Sequence, residues 1–141
     1  MERIISHSPI ETEEIGAKFS KLLKPGDVIA YKGGLGMGKT CFTRGVAKGL
    51  GYSGNVTSPT FDLINEYIGG RLSLYHFDMY RIESWEDLYS CGFFEYIESE
   101  GIVAVEWSEN IENALPESTY FIEINRIDDT TREIIIRGNN I

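Results

Sequence analysis

The chain has 141 residues, 42% of them apolar and 25% charged, with a formal net charge of −9; this suits one globular domain spanning residues 1–141 and leaves no length for a second core. No apolar run approaches the roughly eighteen residues of a membrane span, and Met1-Glu2-Arg3-Ile4-Ile5 lacks the basic and long apolar segments of a secretory signal, so the sequence reads as cytoplasmic with no membrane partner. The acidic balance excludes a broad nucleic-acid surface of clustered Lys and Arg, and any link to RNA is expected to be indirect.

Arg3 to Ser6 reads as a short first strand. Ser8-Pro9-Ile10-Glu11 follows as a capping box with proline at the first helical position. The helix is expected to run to about Leu23, with Ile15, Phe19, Leu22 and Leu23 on a core-facing stripe and Glu13, Glu14, Lys18 and Lys21 facing water. Pro25-Gly26 ends it, and Val28 to Tyr31 forms the next strand.

That strand leads into Gly33-Gly34-Leu35-Gly36-Met37-Gly38-Lys39-Thr40, a gapless G-x-x-x-x-G-K-[ST]. Glycines let successive backbone N–H groups turn around a phosphate, and the helix that starts there adds free N–H groups and a positive dipole end. Lys39 would reach the β- and γ-phosphates, and the Thr40 hydroxyl would hold Mg²⁺. By average residue frequencies the pattern arises by chance in roughly one chain in two hundred of this length. The preceding strand and the helix-compatible Phe42 to Leu50 supply the setting that chance would not, so residues 33–41, from Gly33 to Cys41, are read as nucleotide contacts. The helix closes near Gly49 and Gly51. Cys41 and Cys91 lack metal-site or redox spacing and read as reduced thiols.

Gly51 to Pro59, followed by Thr60, reads either as a surface loop or as a switch-like loop presenting hydroxyls to a nucleotide. Phe61 to Ile68 and Arg71 to Phe77 are β-rich runs around Gly69-Gly70, which predicts an antiparallel hairpin with a two-residue turn. Asp78 ends the second run. Ser84-Trp85-Glu86-Asp87 resembles a helix start with Asp87 at the third position, and Leu88 to Ile97 should be short helical pieces broken at Gly92. Gly101 to Trp107 is apolar without alternation, as in a strand covered on both faces, and carries Glu106 near its end. Ser108 to Ala114 reads as one helix, and Tyr120 to Ile127 with Arg132 to Arg137 as a second antiparallel pair around Asp128-Asp129-Thr130.

A phosphate-loop site needs a carboxylate at the end of a neighbouring strand to position the metal. Asp78 and Glu106 compete, and the continuous Ile102 to Val105 run favours Glu106 as partner of Thr40. Asp78 is left to orient water or act as general base; for either acid the plain alternative is a salt bridge or a helix N-terminus. His76 reads as a hydrogen-bonded core group, Trp107 as core packing, and Arg44 and Arg81 as phosphate contacts or surface ion pairs. Asn125-Arg126-Ile127-Asp128 resembles the guanine-reading N-K-x-D, but no D-x-x-G follows the loop and only thirteen residues remain after Asp128.

Together Gly33 to Thr40, Ser58-Pro59-Thr60-Phe61, Tyr75-His76-Phe77-Asp78-Met79-Tyr80-Arg81 and Val105-Glu106-Trp107-Ser108-Glu109 resemble the bacterial TsaE (YjeE) family, small phosphate-loop ATPases needed to make threonylcarbamoyladenosine in tRNA. The resemblance covers most of the chain. It implies an α/β fold, a P-loop NTPase-like three-layer αβα with a mixed central sheet, ATP or ADP with Mg²⁺ on Thr40 and Glu106, and slow hydrolysis that is useful only with the family's TsaB and TsaD proteins. Lys39, Asp78 and Glu106 would be the catalytic residues, and the segment around Glu11-Thr12 makes Thr12 a further ATP contact. The family loop usually carries Asp where this chain has Gly34, so no carboxylate duty carries over there. A small-molecule kinase and a nucleotide switch with negligible turnover are the other classes open to such a domain.

Overall fold

A strand that is apolar at every position belongs where both of its faces are covered. In a computed structural model of the chain, which describes residues 1–32, 38–54 and 64–138, the run 102–106 takes such a place inside a seven-stranded mixed sheet. In chain order the elements are β1 (Glu2–Ser6), α1 (Pro9–Phe19), β2 (Val28–Lys32), α2 (Lys39–Gly49), β3 (Ile64–Tyr67), β4 (Leu74–Asp78), α3 (Trp85–Ser90), α4 (Phe93–Glu98), β5 (Ile102–Glu106), β6 (Tyr120–Arg126) and β7 (Arg132–Arg137). The strand order is β1-β7-β6-β2-β5-β4-β3. β6, β2, β5 and β4 run parallel, while β7, β1 and β3 add antiparallel edges.

Two cores flank the sheet. On one face Phe19, Phe42, Val46 and Leu50 of the α1–α2 side meet Ile29, Tyr31, Ile102, Ile122 and Ile134. On the other, Leu88, Phe93 and Ile111 cover Val28, Phe77, Val103 and Val105. The result is the expected three layers. No helix of the described residues is long and apolar enough to cross a membrane.

Local signals set most element ends. Ser8 caps α1 by accepting from Glu11 N–H at 3.1 Å, and Ser84 caps α3 by accepting from Asp87 N–H at the same distance. The returning carboxylates reach one residue further back than a regular capping box: Glu11 accepts from His7 N–H at 2.7 Å and Asp87 from Glu83 N–H at 3.1 Å. Gly92, with φ +81, breaks α3 from α4 as expected.

Four readings change. The first helix ends at Phe19 and tightens into a 3₁₀ turn, Ser20–Leu22, which rotates Leu22 out of the stripe to 46% exposure while Leu23 stays buried. Glu13 leaves solvent to pair with Lys48 and Arg44 of α2. The β3–β4 pair is antiparallel, but its register puts Tyr67 opposite Leu74, so the connection spans residues 68–73 instead of Gly69-Gly70 alone. Tertiary contacts draw it out: Arg71 N–H donates to Leu50 O at 2.7 Å and its guanidinium to Ser20 O at 2.9 Å. Ser108–Ala114 forms 3₁₀ turns kinked at Ile111 in place of one regular helix.

Candidate nucleotide and metal site

In open sheets of this kind, ligands bind beyond the carboxyl ends of the parallel strands. A cleft of about 570 Å³ opens there, lined among the described residues by Thr12, Gly38, Lys39, Thr40, Cys41, Asp78 and Glu106. The described residues expected at the nucleotide and the metal therefore line one space. Gly33, Gly34, Leu35, Gly36 and Met37, like residues 55–63 with Ser58 to Phe61 among them, lie outside the described residues.

Each element delivers its residue for a local reason. Gly38 caps α2 with φ +100, a left-handed conformation that glycine adopts without Cβ strain. Lys39 and Thr40 occupy the first turn of α2, where backbone N–H groups have no intrahelical acceptor. β5 pairs with β2 on one side and β4 on the other, in a register that sets Asp78 directly beside Glu106. Both acids alternate onto the face that α2 covers, as do His76 and Ala104.

The two carboxyls have different electrostatic surroundings. Glu106 is only 8% exposed. Burial alone would raise its pKa, but His76 and Lys39 overcome that and hold it below the ordinary carboxylate value. Asp78 goes the other way: burial raises its pKa and the Glu106 charge adds to the rise, against the Tyr80 backbone hydrogen bond and the charges of His76 and Lys39. Neighbouring acids pushed apart in this manner suit one group that stays ionised and one that can exchange a proton. Asp78 Oδ1 accepts from Tyr80 N–H at 3.0 Å, which fixes the carboxyl at the strand end.

His76 is fully buried, with Nε2 2.8 Å from Glu106 Oε2. The contact lacks the straight N–H···O line of a hydrogen bond, and neither ring nitrogen has a hydrogen-bond partner among the described residues. Its ring lies 6.4 Å from that of Tyr31, whose hydroxyl shares a 2.7 Å hydrogen bond with Thr43. Burial pushes the Tyr31 phenol far up, so it stays neutral. After Glu106 the chain turns through Trp107 at φ 58, an unusual conformation for a bulky residue, and Ser108 Oγ then donates to Tyr31 O at 3.0 Å. That latch ties the end of β5 to the end of β2. Trp107 itself packs at the second core, with Tyr80 6.4 Å away.

Of the far wall of the cleft, the sequence reading named only Thr12 as a contact. His7, Ser8, Pro9, Asp129, Thr130 and Arg132 line it, because β1 pairs with β7 and sets Ser6 opposite Arg132. Thr12 joins this wall, its hydroxyl 2.7 Å from Ser6 Oγ. The Asp128 carboxylate accepts from the N–H groups of Thr130 and Thr131, both at 2.9 Å, and the Arg132 guanidinium donates to Asp128 O at 2.8 Å. Asn125 donates to Glu133 at 3.2 Å. The residues that resemble a guanine reader thus stabilise their own hairpin. Arg44 forms the expected surface ion pair, with Glu13 at 3.8 Å, whereas Arg81 makes no ion pair among the described residues and donates to the Tyr80 hydroxyl at 2.6 Å.

The donor set fits a nucleotide with a divalent cation: a lysine and a hydroxyl at a helix start, and an ionised carboxylate one strand away. Comparison with known proteins identifies the family. The family model described as "Threonylcarbamoyl adenosine biosynthesis protein TsaE" matches residues 6–134. The chain is 41% identical over 134 residues to the tRNA threonylcarbamoyladenosine biosynthesis protein TsaE of Treponema pallidum, covering 95% of this chain and 98% of that one. It is 47% identical over 128 residues to the protein of the same name from Bacillus subtilis, covering 90% and 79%. A crystal structure of Bacillus subtilis YdiB superposes with a TM-score of 0.79 at 38% identity, over 99% of this chain and 86% of that one. The chain belongs to the TsaE family.

Proposed function

We propose that this protein takes part in tRNA threonylcarbamoyladenosine biosynthesis as an ATP-binding, Mg²⁺-dependent, slow ATPase, an accessory subunit to TsaB and TsaD that resets the transferase between turnovers. Family membership supports the pathway. The observation that carries the enzymatic reading is the convergence of Lys39, Thr40, Asp78 and Glu106 on one cleft at the strand ends.

In this reading Thr40 and Glu106 hold Mg²⁺, which when bound neutralises charge on the β- and γ-phosphates. Lys39 draws the γ-phosphate oxygens toward the start of α2. Asp78 orients a water for in-line attack on the γ-phosphorus and takes up its proton as the bond to the β-phosphate oxygen breaks, leaving ADP and inorganic phosphate. His76 restrains Glu106 from behind, and the wall from His7 to Thr12 with Asp129 to Arg132 encloses the rest of the nucleotide.

Calorimetry with ATP tests the site. Lys39→Ala should abolish detectable binding, and unchanged affinity would sink the assignment. Glu106→Ala should keep weak nucleotide binding but lose the response to Mg²⁺; a wild-type metal response would transfer that role to Asp78. Product analysis separates the reaction classes, since inorganic phosphate alone marks an ATPase and a phosphorylated metabolite a kinase. Multiple turnover of tRNA modification that proceeds equally well without the protein would end the accessory-subunit reading.

A further inference from the structure

Charge is unevenly distributed along this chain. Residues 82–125 carry eleven Asp and Glu and no Lys, Arg or His, while the remainder holds eleven acids against thirteen Lys and Arg. The acidic excess therefore lies in the segment that forms α3, α4, β5 and the 3₁₀ turns after it. The same segment exposes two large aromatic side chains. Trp85 is 53% and Tyr89 62% exposed, and both lean on Phe94, the first in a stacked pair at 6.1 Å and the second at 4.7 Å. Exposed aromatics in mutual contact mark interaction sites more often than scattered ones do.

Beside Trp85 lies a pocket of about 230 Å³ between residues 82–85 and residues 109–114. Ile82 and Ile111 are buried beneath it, and Glu83, Glu109 and Glu112 stand at its rim. Glu112 meets Lys32 at 3.8 Å in a loose, exposed pair, whereas Glu83 and Glu109 make no ion pair among the described residues. The Asn110 side chain donates to Met79 O at 2.9 Å and joins the two walls.

We propose that this pocket and the adjoining Trp85–Tyr89–Phe94 face dock an arginine-bearing, otherwise apolar segment of a protein partner. A guanidinium suits the site because it binds carboxylates in a fork and stacks on an indole face. A nucleic acid is disfavoured by the carboxylates, and the aromatic face beside the pocket calls for an apolar neighbour that a bare metal ion lacks. The two pocket walls follow shortly in sequence after the ends of β4 and β5, where Asp78 and Glu106 sit. An occupant would thus press on the segments that hold the cleft's two carboxylates. The inference rests on the partner-dependent reading above for a protein as the occupant.

The test is an amide and indole NMR titration of the nucleotide-free protein with a blocked Gly-Leu-Arg-Leu-Gly peptide and with its neutral citrulline counterpart. The arginine peptide should give saturable shifts at Glu83, Trp85 and residues 109–113, and the citrulline peptide should not. Trp85→Ala and Glu109→Lys, both at exposed positions, should each weaken binding about fivefold or more with the rest of the spectrum unchanged. Equal response to citrulline, shifts spread over the whole acidic surface or centred on the nucleotide cleft, insensitivity to both variants, or no saturable shift at millimolar peptide would each overturn the proposal. Concentration-dependent shifts in the same residues without peptide would assign the face to a second copy of this chain and overturn it equally. No nucleotide is present, so a failed ATPase assay and a failed docking assay are separate results.

Discussion

The two helical layers of this protein are built on opposite terms. On one face α1 and α2 approach so closely that a Cβ at Gly16 would lie 2.3 Å from Phe42 O, and one at Gly45 would lie 1.9 Å from Glu13 O. Glycines at the crossing let backbone meet backbone, and the ion pairs of Glu13 with Lys48 and Arg44 close the edge. On the other face α3 and α4 have six residues each, are separated by a left-handed glycine, and leave Trp85 and Tyr89 in solvent. The first layer fixes the helix whose start carries Lys39 and Thr40, so rigidity there serves pre-organisation. The second holds only part of its aromatic surface against the sheet and presents the rest.

Substituting glycines is the most severe way to probe that contrast. Gly45→Val should destabilise the fold by about 3 kcal/mol or more, because the new side chain meets backbone that cannot move without parting α1 from α2. Chemical denaturation measures it, and a loss below about 1 kcal/mol would mean the layer yields as freely as its counterpart. At Gly92 the nearest atoms to an added Cβ are side-chain atoms at 3.6 Å and beyond, and the obstacle is φ +81. Gly92→Ala should accordingly cost about 1–2 kcal/mol, the left-handed penalty alone, with Gly92→Asn milder. Equal losses at Gly45 and Gly92 would break the distinction.

Features that depend on a few neighbouring residues were legible in the sequence. The strand-loop-helix setting of Lys39 and Thr40, both capping serines, the break at Gly92 and the β6–β7 hairpin are of this kind. The buried run before Glu106 was legible too, since a strand between two parallel neighbours must be apolar throughout, and β5 sits between β2 and β4. Long-range register was not. Nothing local to His7, Ser8 or Arg132 says that β1 will pair with β7 and bring them to the cleft, and nothing in Gly69-Gly70 says that Arg71 will be drawn to the end of α2. The close helix crossing did leave a trace: Gly16 and Gly45 interrupt otherwise helical patterns, and an isolated glycine there usually has a packing reason. The opposed electrostatics of Asp78 and Glu106 needed the register that sets them side by side.

The smallest effect should come from the most conspicuous side chain of the second layer. Trp85 is large and stacked on Phe94, and in a core its loss would cost roughly 3–5 kcal/mol. Half of it is already in water, however, and its helix is capped by the Ser84 side chain and not by the indole. Trp85→Ala should lower stability by about 1 kcal/mol or less, the worth of one exposed aromatic pair. Thermal and urea denaturation would show it. A loss of core size would mean that the ring fastens α3 to α4 and that the second layer is built like the first. A small loss leaves the aromatic face without a large role in folding, so that its exposure must be explained by what it meets in solution.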